Sequence, residues 1–234
     1  MRIEGRTALV TGANRGIGKA FAQELLRLGA AKVYAAARDP ETVAYEGVVP
    51  LALDVTDPAA IAAAAEAAGE ASVLVNNAGF LVPTPPLTAS LDEARKLLEV
   101  NFLGTWAVTQ AFAPVIVRNG GGAVVNMLSV ASWASGAIDT AGYAASKAAQ
   151  WAVTNALRRA LAPQGVRVVG VHVGWVDTDL ASGVAAEKTS PEDVARIALR
   201  GLAEDRDEVL VDRRAKEVKA SLSGERPAYL PDPR

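Results

Sequence analysis

The chain has 234 residues, half of them apolar, which is enough for one large α/β domain with a sizeable core. Its 24 basic and 26 acidic residues leave a net charge of -2 with no long basic run, which argues against nucleic acid or another polyanion and for a small-molecule partner. With no cysteine and a single histidine, His172, the sequence excludes a disulfide framework and any thiolate or multi-histidine metal site, and nothing points to a carboxylate one.

The first residues, MRIEGRTALV, lack an apolar leader, and no run approaches the roughly eighteen uninterrupted apolar residues of a membrane span. These features lead to the expectation of a soluble cytoplasmic protein that does not engage a membrane. Residues 7–10 form a short apolar run that ends in TGANRGIG and continues into KAFAQELLRLG, a strand, glycine turn and helix in succession. Ile17, Phe21, Leu25 and Leu28 share one helical stripe, and Gly29 is the stop. A glycine turn at a helix N-terminus lets backbone N–H groups approach a pyrophosphate, although the spacing of Gly12, Gly16 and Gly18 departs from the GxGxxG pattern.

The second strand, 32–37, ends at Arg38, where nucleotide folds usually place an acid on the adenosine ribose. The acid is missing here. Arg38 and Arg15 instead offer two guanidinium groups suited to a 2′-phosphate, or else are solvated surface charges. A third strand, 48–53, leads to Asp54, which suits an adenine amino group, and Asp57 and Pro58 then start the helix PAAIAAAAEAAG. The fourth strand, 72–75, runs into NNAG, where Asn77, Ala78 and Gly79 are small enough to admit a cofactor. Ser90 and Glu93 form a capping box for one long helix or two consecutive ones, with Asn101 inside as either a satisfied core amide or a site residue.

The fifth strand, 123–127, delivers Ser129, and the Ala-rich helix AGYAASKAAQWAVTNALRRAL follows after a loop. Tyr143 and Lys147, at i and i+4, project from one face of that helix. An ammonium beside a phenol favours the phenolate, yet bringing tyrosine near neutrality needs about 4 kcal/mol, more than one cation plainly supplies. A second positive charge alongside would add to it, and Ser129 can hydrogen-bond a carbonyl oxygen. The sixth strand is expected at 166–173; WVDTDLASGVAAEKTS then supplies a short lid at about 179–190. Ser190, Pro191 and Asp193 start another helix, DEVLVD is a last strand, and about 216–234 is an irregular tail. Near-continuous apolar strands separated by helices predict a single doubly wound α/β domain over 1–234, with a mostly parallel seven-stranded sheet and helices on both faces.

Jointly, TGANRGIG, Asp54, NNAG, Asn101, Ser129, YAASK and a glycine turn before Thr178 resemble the short-chain dehydrogenase/reductase family along nearly the whole chain. The resemblance implies a Rossmann fold, an oxidoreductase of the carbonyl reductase type, and a catalytic tetrad of Asn101, Ser129, Tyr143 and Lys147. Tyr143 is then the general acid in reduction, Lys147 also binds the nicotinamide ribose, and Asn101 helps hold a water of a proton relay. The implied cofactor contacts comprise Gly12, Asn14, Arg15, Gly16, Ile17, Gly18, Arg38, Asp54, Val55, Asn77, Ala78, Gly79, Tyr143, Lys147, Gly174, Val176 and Thr178. The two arginines favour NADPH/NADP over NAD. Relatives in the family are often homodimers or homotetramers joined through the long helices, here those carrying Trp106 and Trp151, which are equally compatible with the core.

One departure is Val173-Gly174 where the family has Pro-Gly; losing the proline frees a dihedral, so the nicotinamide-side loop is expected to be looser. His172 is read as a structural hydrogen-bonding residue. Phe80, Trp133 and Trp175, each following a strand, suit the walls of an apolar substrate cavity or the core, and predict a bulky, uncharged ketone or aldehyde as substrate.

Overall fold

The computed structural model describes residues 1–135 and 139–230. Seven strands, β1 (Thr7–Thr11), β2 (Lys32–Ala37), β3 (Val49–Ala52), β4 (Val73–Asn76), β5 (Gly122–Met127), β6 (Val166–His172) and β7 (Glu208–Leu210), form one sheet. Their spatial order is β3-β2-β1-β4-β5-β6-β7 and every pairing is parallel, so the expected mostly parallel sheet is wholly parallel. The order reverses between β1 and β4, and the crevice at their carboxyl ends is where such sheets take ligands.

The apolar runs work because a parallel strand is covered on both faces. Val10, Val33, Val75, Val125 and Val171 face α1 (Gly16–Arg27) and α6 (Pro191–Ala203), against Phe21, Leu25, Leu199 and Leu202. Their neighbours Leu9, Leu74, Val124 and Val168 face the other way, onto α2 (Pro58–Ala67), α4 (Thr105–Arg118) and α5 (Ala141–Leu161), meeting Ile61, Phe112, Ile116 and Leu161. Helix α3 (Leu91–Leu98) runs into a π-helical segment, Glu99–Gly104, and then α4. Leu91–Arg118 is thus long and apolar enough by length and composition to cross a bilayer, but Val108, Phe112 and Ile116 are spent against the sheet.

The tail departs from the expectation of an irregular arm. α7 (Arg213–Ser221) is helical because Asp212 caps it, accepting from Ala215 N at 2.7 Å, while Ala215 and Val218 bury against Val130 and Ala134. The end of the tail, 231–234, lies outside the described residues.

Candidate active site

At the carboxyl end of β1 the chain turns through Gly12 (φ +62°) and Gly16 (φ +53°), left-handed conformations that favour glycine, and α1 begins with no side-chain cap. Its first N–H groups therefore remain available to an anion at a cavity wall formed by Gly12, Asn14, Arg15, Gly16 and Ile17. The turn is braced from β4: the Thr11 hydroxyl accepts from Asn77 N (3.0 Å) and Ala78 N (2.9 Å), and Asn77 Nδ2 donates to the carbonyls of Thr11 (3.0 Å) and Gly12 (3.1 Å).

Gly18 is not among the residues that line the cavity. A Cβ there would lie 2.2 Å from the Gly12 carbonyl oxygen, so this glycine lets the helix start sit on the turn. Arg38 lines the cavity and forms no hydrogen bond or ion pair among the described residues. Arg15 is already engaged: its Nη1 pairs with Asp179, tying the glycine turn to the segment after Thr178. The Asp54 carboxylate accepts from Thr56 N (2.9 Å) and Thr56 Oγ1 (2.7 Å), which hold it below the usual carboxylate range. Val55, Ala78 and Gly79 complete this part of the wall.

Across the crevice, β5 ends in Ser129, whose hydroxyl caps a short 3₁₀ turn by accepting from Ala131 N at 3.1 Å. One turn apart on α5, Tyr143 and Lys147 reach the same cavity. The amine is buried and donates to the Met127 carbonyl (2.8 Å) and Gln150 Oε1 (2.8 Å), and lies 5.8 Å from the Tyr143 ring centroid. Burial pushes Lys147 down to about 7, and pushes the Tyr143 phenol up to about 12 against the opposing hydrogen bond with Ser129. Among protein groups alone, then, burial outweighs the Ser129 hydrogen bond, and the expected lowering of the phenol needs further positive charge.

Asn101 does not reach the cavity. Fully buried in the π-helical segment, its amide accepts from Phe80 N (3.0 Å) and donates to Phe80 O (3.0 Å) and Ser146 Oγ (3.0 Å), while Ser146 Oγ donates to the Tyr143 carbonyl (2.7 Å). It braces both Phe80 and the turn that carries Tyr143. π segments recur at functional sites, and this one has no compositional signature.

Phe80, Leu81 and Trp175 line the cavity, but Trp133 does not. Its ring stacks on His172 with centroids 3.8 Å apart and meets Trp151 edge-on at 6.2 Å, so the aromatic neighbours draw it behind the wall. His172 is fully buried, its Nδ1 lies 3.2 Å from the Ser129 carbonyl, and burial lowers its proton affinity against the opposing pull of Glu208. Behind it Glu208 lies 3.7 Å from His172 Nε2 and accepts from Lys219 (2.7 Å) and Trp151 (3.0 Å), and these partners hold its carboxyl below the usual range.

The loop at Val173-Gly174 is tied rather than free. Gly174 N donates to Asp212 Oδ2 (2.7 Å), Val130 N to Val173 O (3.0 Å), and Trp175 and Asp177 bond to Thr189 on the opposite side. Gly174, Val176 and Thr178 face the cavity, and Asp179, Leu180 and Glu187 line it as well. No sequence pattern singles out Arg213 and Arg214, which α7 brings to the rim, or Asp179 and Gln150 as partners of Arg15 and Lys147.

The cavity measures about 1500 Å³, beyond the roughly 300–1,000 Å³ of an ordinary ligand pocket. It can hold a dinucleotide together with a second molecule beside Ser129 and Tyr143. Its parts suit transfer to or from a carbonyl: a serine donor, a phenol for the proton and an amine behind it.

Comparison with known proteins agrees with this geometry. The family model described as short chain dehydrogenase matches residues 6–189. An NADP-dependent 3-hydroxy acid dehydrogenase of Schizosaccharomyces pombe is 31% identical, over 90% of this chain and 92% of its own. A 1-deoxy-11-beta-hydroxypentalenate dehydrogenase of Streptomyces exfoliatus is 35% identical, over 88% of this chain and 82% of its own. A crystal structure of a short chain dehydrogenase from Burkholderia cenocepacia J2315 in complex with NADP superposes with a TM-score of 0.92 at 37% identity, covering 96% of this chain and 95% of that one. By the family model's match over most of its length, and by the shared fold, this chain belongs to the short chain dehydrogenase family.

Proposed function

We propose that the protein is an NADPH-dependent reductase that converts an apolar or aromatic ketone or aldehyde to the alcohol. The observation that carries the reading is the convergence of Ser129, Tyr143 and Lys147 on one wall of a cavity whose opposite end is an uncapped helix start beside Arg38, which has no ion pair among the described residues. The turn at Gly12 and Gly16 would receive the pyrophosphate, Asp54 and Val55 the adenine, and Arg38 with Arg15 the 2′-phosphate. Asn77, Ala78, Gly79, Gly174, Val176 and Thr178 would flank the nicotinamide half. Bound there, NADPH supplies a hydride, and its oxidised form a positive charge near the phenol.

The residues do the rest. Ser129 donates a hydrogen bond to the carbonyl oxygen as negative charge develops, and Tyr143 delivers the proton. Lys147 holds the ribose and stabilises the phenolate that remains. Asn101, acting through Phe80 and Ser146, is a positioning residue.

A panel of ketones and aldehydes assayed by loss of NADPH absorbance, beside NADH, tests this; activity confined to short charged acids would sink the substrate reading. A second reading has its own observation: Arg213 and Arg214 lie at the rim, and Arg214 has no ion pair among the described residues. It gives the substrate a carboxylate, as the name of the yeast relative suggests for that protein. Matched aryl ketones with and without a carboxylate discriminate the two. Oxidation of the alcohol would use the same groups in reverse.

Assembly as a homodimer or homotetramer is proposed through the face that leaves Leu103 (40%) and Trp106 (38%) exposed. Trp151 is turned instead toward Trp133 and Glu208. Solution scattering giving more than one chain mass supports this, and a strict monomer at micromolar concentration contradicts it.

A further inference from the structure

Gln150 lies three residues beyond Lys147, outside the YAASK motif, in a helix whose composition gives it no evident task. An uncharged amide in an Ala-rich helix normally faces water. This one is 1% exposed and bonded at both ends. Its Oε1 accepts from Lys147 Nζ at 2.8 Å, and its Nε2 donates to Thr105 Oγ1 at 2.9 Å. The Thr105 hydroxyl donates its own hydrogen bond to the Asn101 backbone carbonyl at 3.0 Å, at the π-helical segment. The amide orientation follows from the chemistry. An ammonium only donates, and a hydroxyl whose hydrogen is committed to a carbonyl can only accept, so the oxygen must face Lys147 and the nitrogen Thr105.

We propose that Gln150 is a positioning residue for the active-site amine: it fixes the direction of Lys147 and favours its charged form. The inference rests on the reading of Lys147 as part of the reaction centre, and extends it to a residue that the motif does not contain. An ammonium has three N–H donors. Two are committed, to the Met127 carbonyl at the end of β5 and to Gln150, which leaves the third for the cavity that Lys147 lines. Without the Gln150 oxygen, a buried cation would keep a single protein acceptor, the costly situation for a charge out of water.

The other groups around the amine do not substitute for it. The titratable neighbour is Tyr143, whose ring centroid is 5.8 Å away on the same helix, and Thr105 and Asn101 on the π and α4 side are neutral. Among the described residues no carboxylate pairs with Lys147, and burial is what moves its proton affinity down.

The test compares Gln150→Leu and Gln150→Glu with the parent protein, titrating Lys147 through its ¹³Cε resonance in lysine-labelled protein, assigned by its absence in Lys147→Met. Losing an acceptor must lower the midpoint, and a carboxylate in its place must raise it, each by about one unit or more. The alkaline limb of kcat for reduction should move in the same two directions. Coincident midpoints in all three proteins overturn the proposal. Should Gln150→Leu fail to fold, the upward shift in Gln150→Glu remains decisive, and its absence overturns the proposal equally. The titration needs no substrate, so failure of the ketone panel would count against the proposed activity and not against the role of Gln150.

Discussion

Tyr143→Phe lowers kcat for carbonyl reduction by about 10²–10⁴, the range for loss of a positioned proton donor. The Kd for NADPH, read by fluorescence quenching, stays within about fivefold, the worth of one neutral hydrogen bond. The phenol is the acid that the cavity offers beside Ser129, and burial holds it protonated, with an ordinary value near 10 pushed up to about 12. A donor so placed is ready for reduction, provided the phenolate left behind is stabilised by Lys147. That amine titrates at about 7, because burial disfavours its charge. The sign follows: it is cationic below that pH and neutral above, so reduction slows as the pH rises through the Lys147 midpoint, wherever the bound cofactor moves it. Retention of kcat within tenfold in the phenylalanine variant would remove Tyr143 from the chemistry.

Arg38→Ala weakens NADPH binding by about tenfold to somewhat above a hundredfold, the equivalent of roughly 1.5–3 kcal/mol for a charge-assisted contact, and leaves NADH binding unchanged. The effect is selective because the guanidinium, with no hydrogen bond or ion pair among the described residues and only a weak attraction to Asp54, is matched by the extra phosphate. Arg15→Ala has a smaller effect. Its guanidinium must first leave Asp179, although both side chains are more than two-thirds exposed and such a pair is worth no more than about 1 kcal/mol. Asp179→Asn should accordingly tighten NADPH modestly. Titration calorimetry with both cofactors checks all three variants, and equal losses for NADPH and NADH in Arg38→Ala would contradict the 2′-phosphate assignment.

The sheet was legible because each parallel strand must be apolar on both faces, and runs such as Val73–Asn76 and Val166–His172 announce themselves as such. The glycine turn was legible because its backbone angles restrict the residue type. Four features were not. Trp133 follows a strand as Trp175 does, yet its direction is decided by His172 and Trp151, partners remote in sequence. The helix over Arg213–Ser221 buries only Ala215 and Val218 and is otherwise polar, so its apolar pattern is too sparse to stand out from a tail. Gly18 shares a motif with Gly12 and Gly16 but serves packing, a difference that only the 2.2 Å approach to Gly12 reveals. Asn101 was singled out in sequence, but the π segment that withdraws it behind Phe80 depends on pairing across the fold.

The most direct test of the account follows the hydride itself: reduction of an aryl ketone with NADPH carrying two deuterons at C4 of the nicotinamide. The expected product is an alcohol bearing one deuteron on its carbinol carbon, formed by the parent protein and not by Tyr143→Phe over the same interval. Tight NADPH binding with no label transferred to any carbonyl of the panel would contradict it.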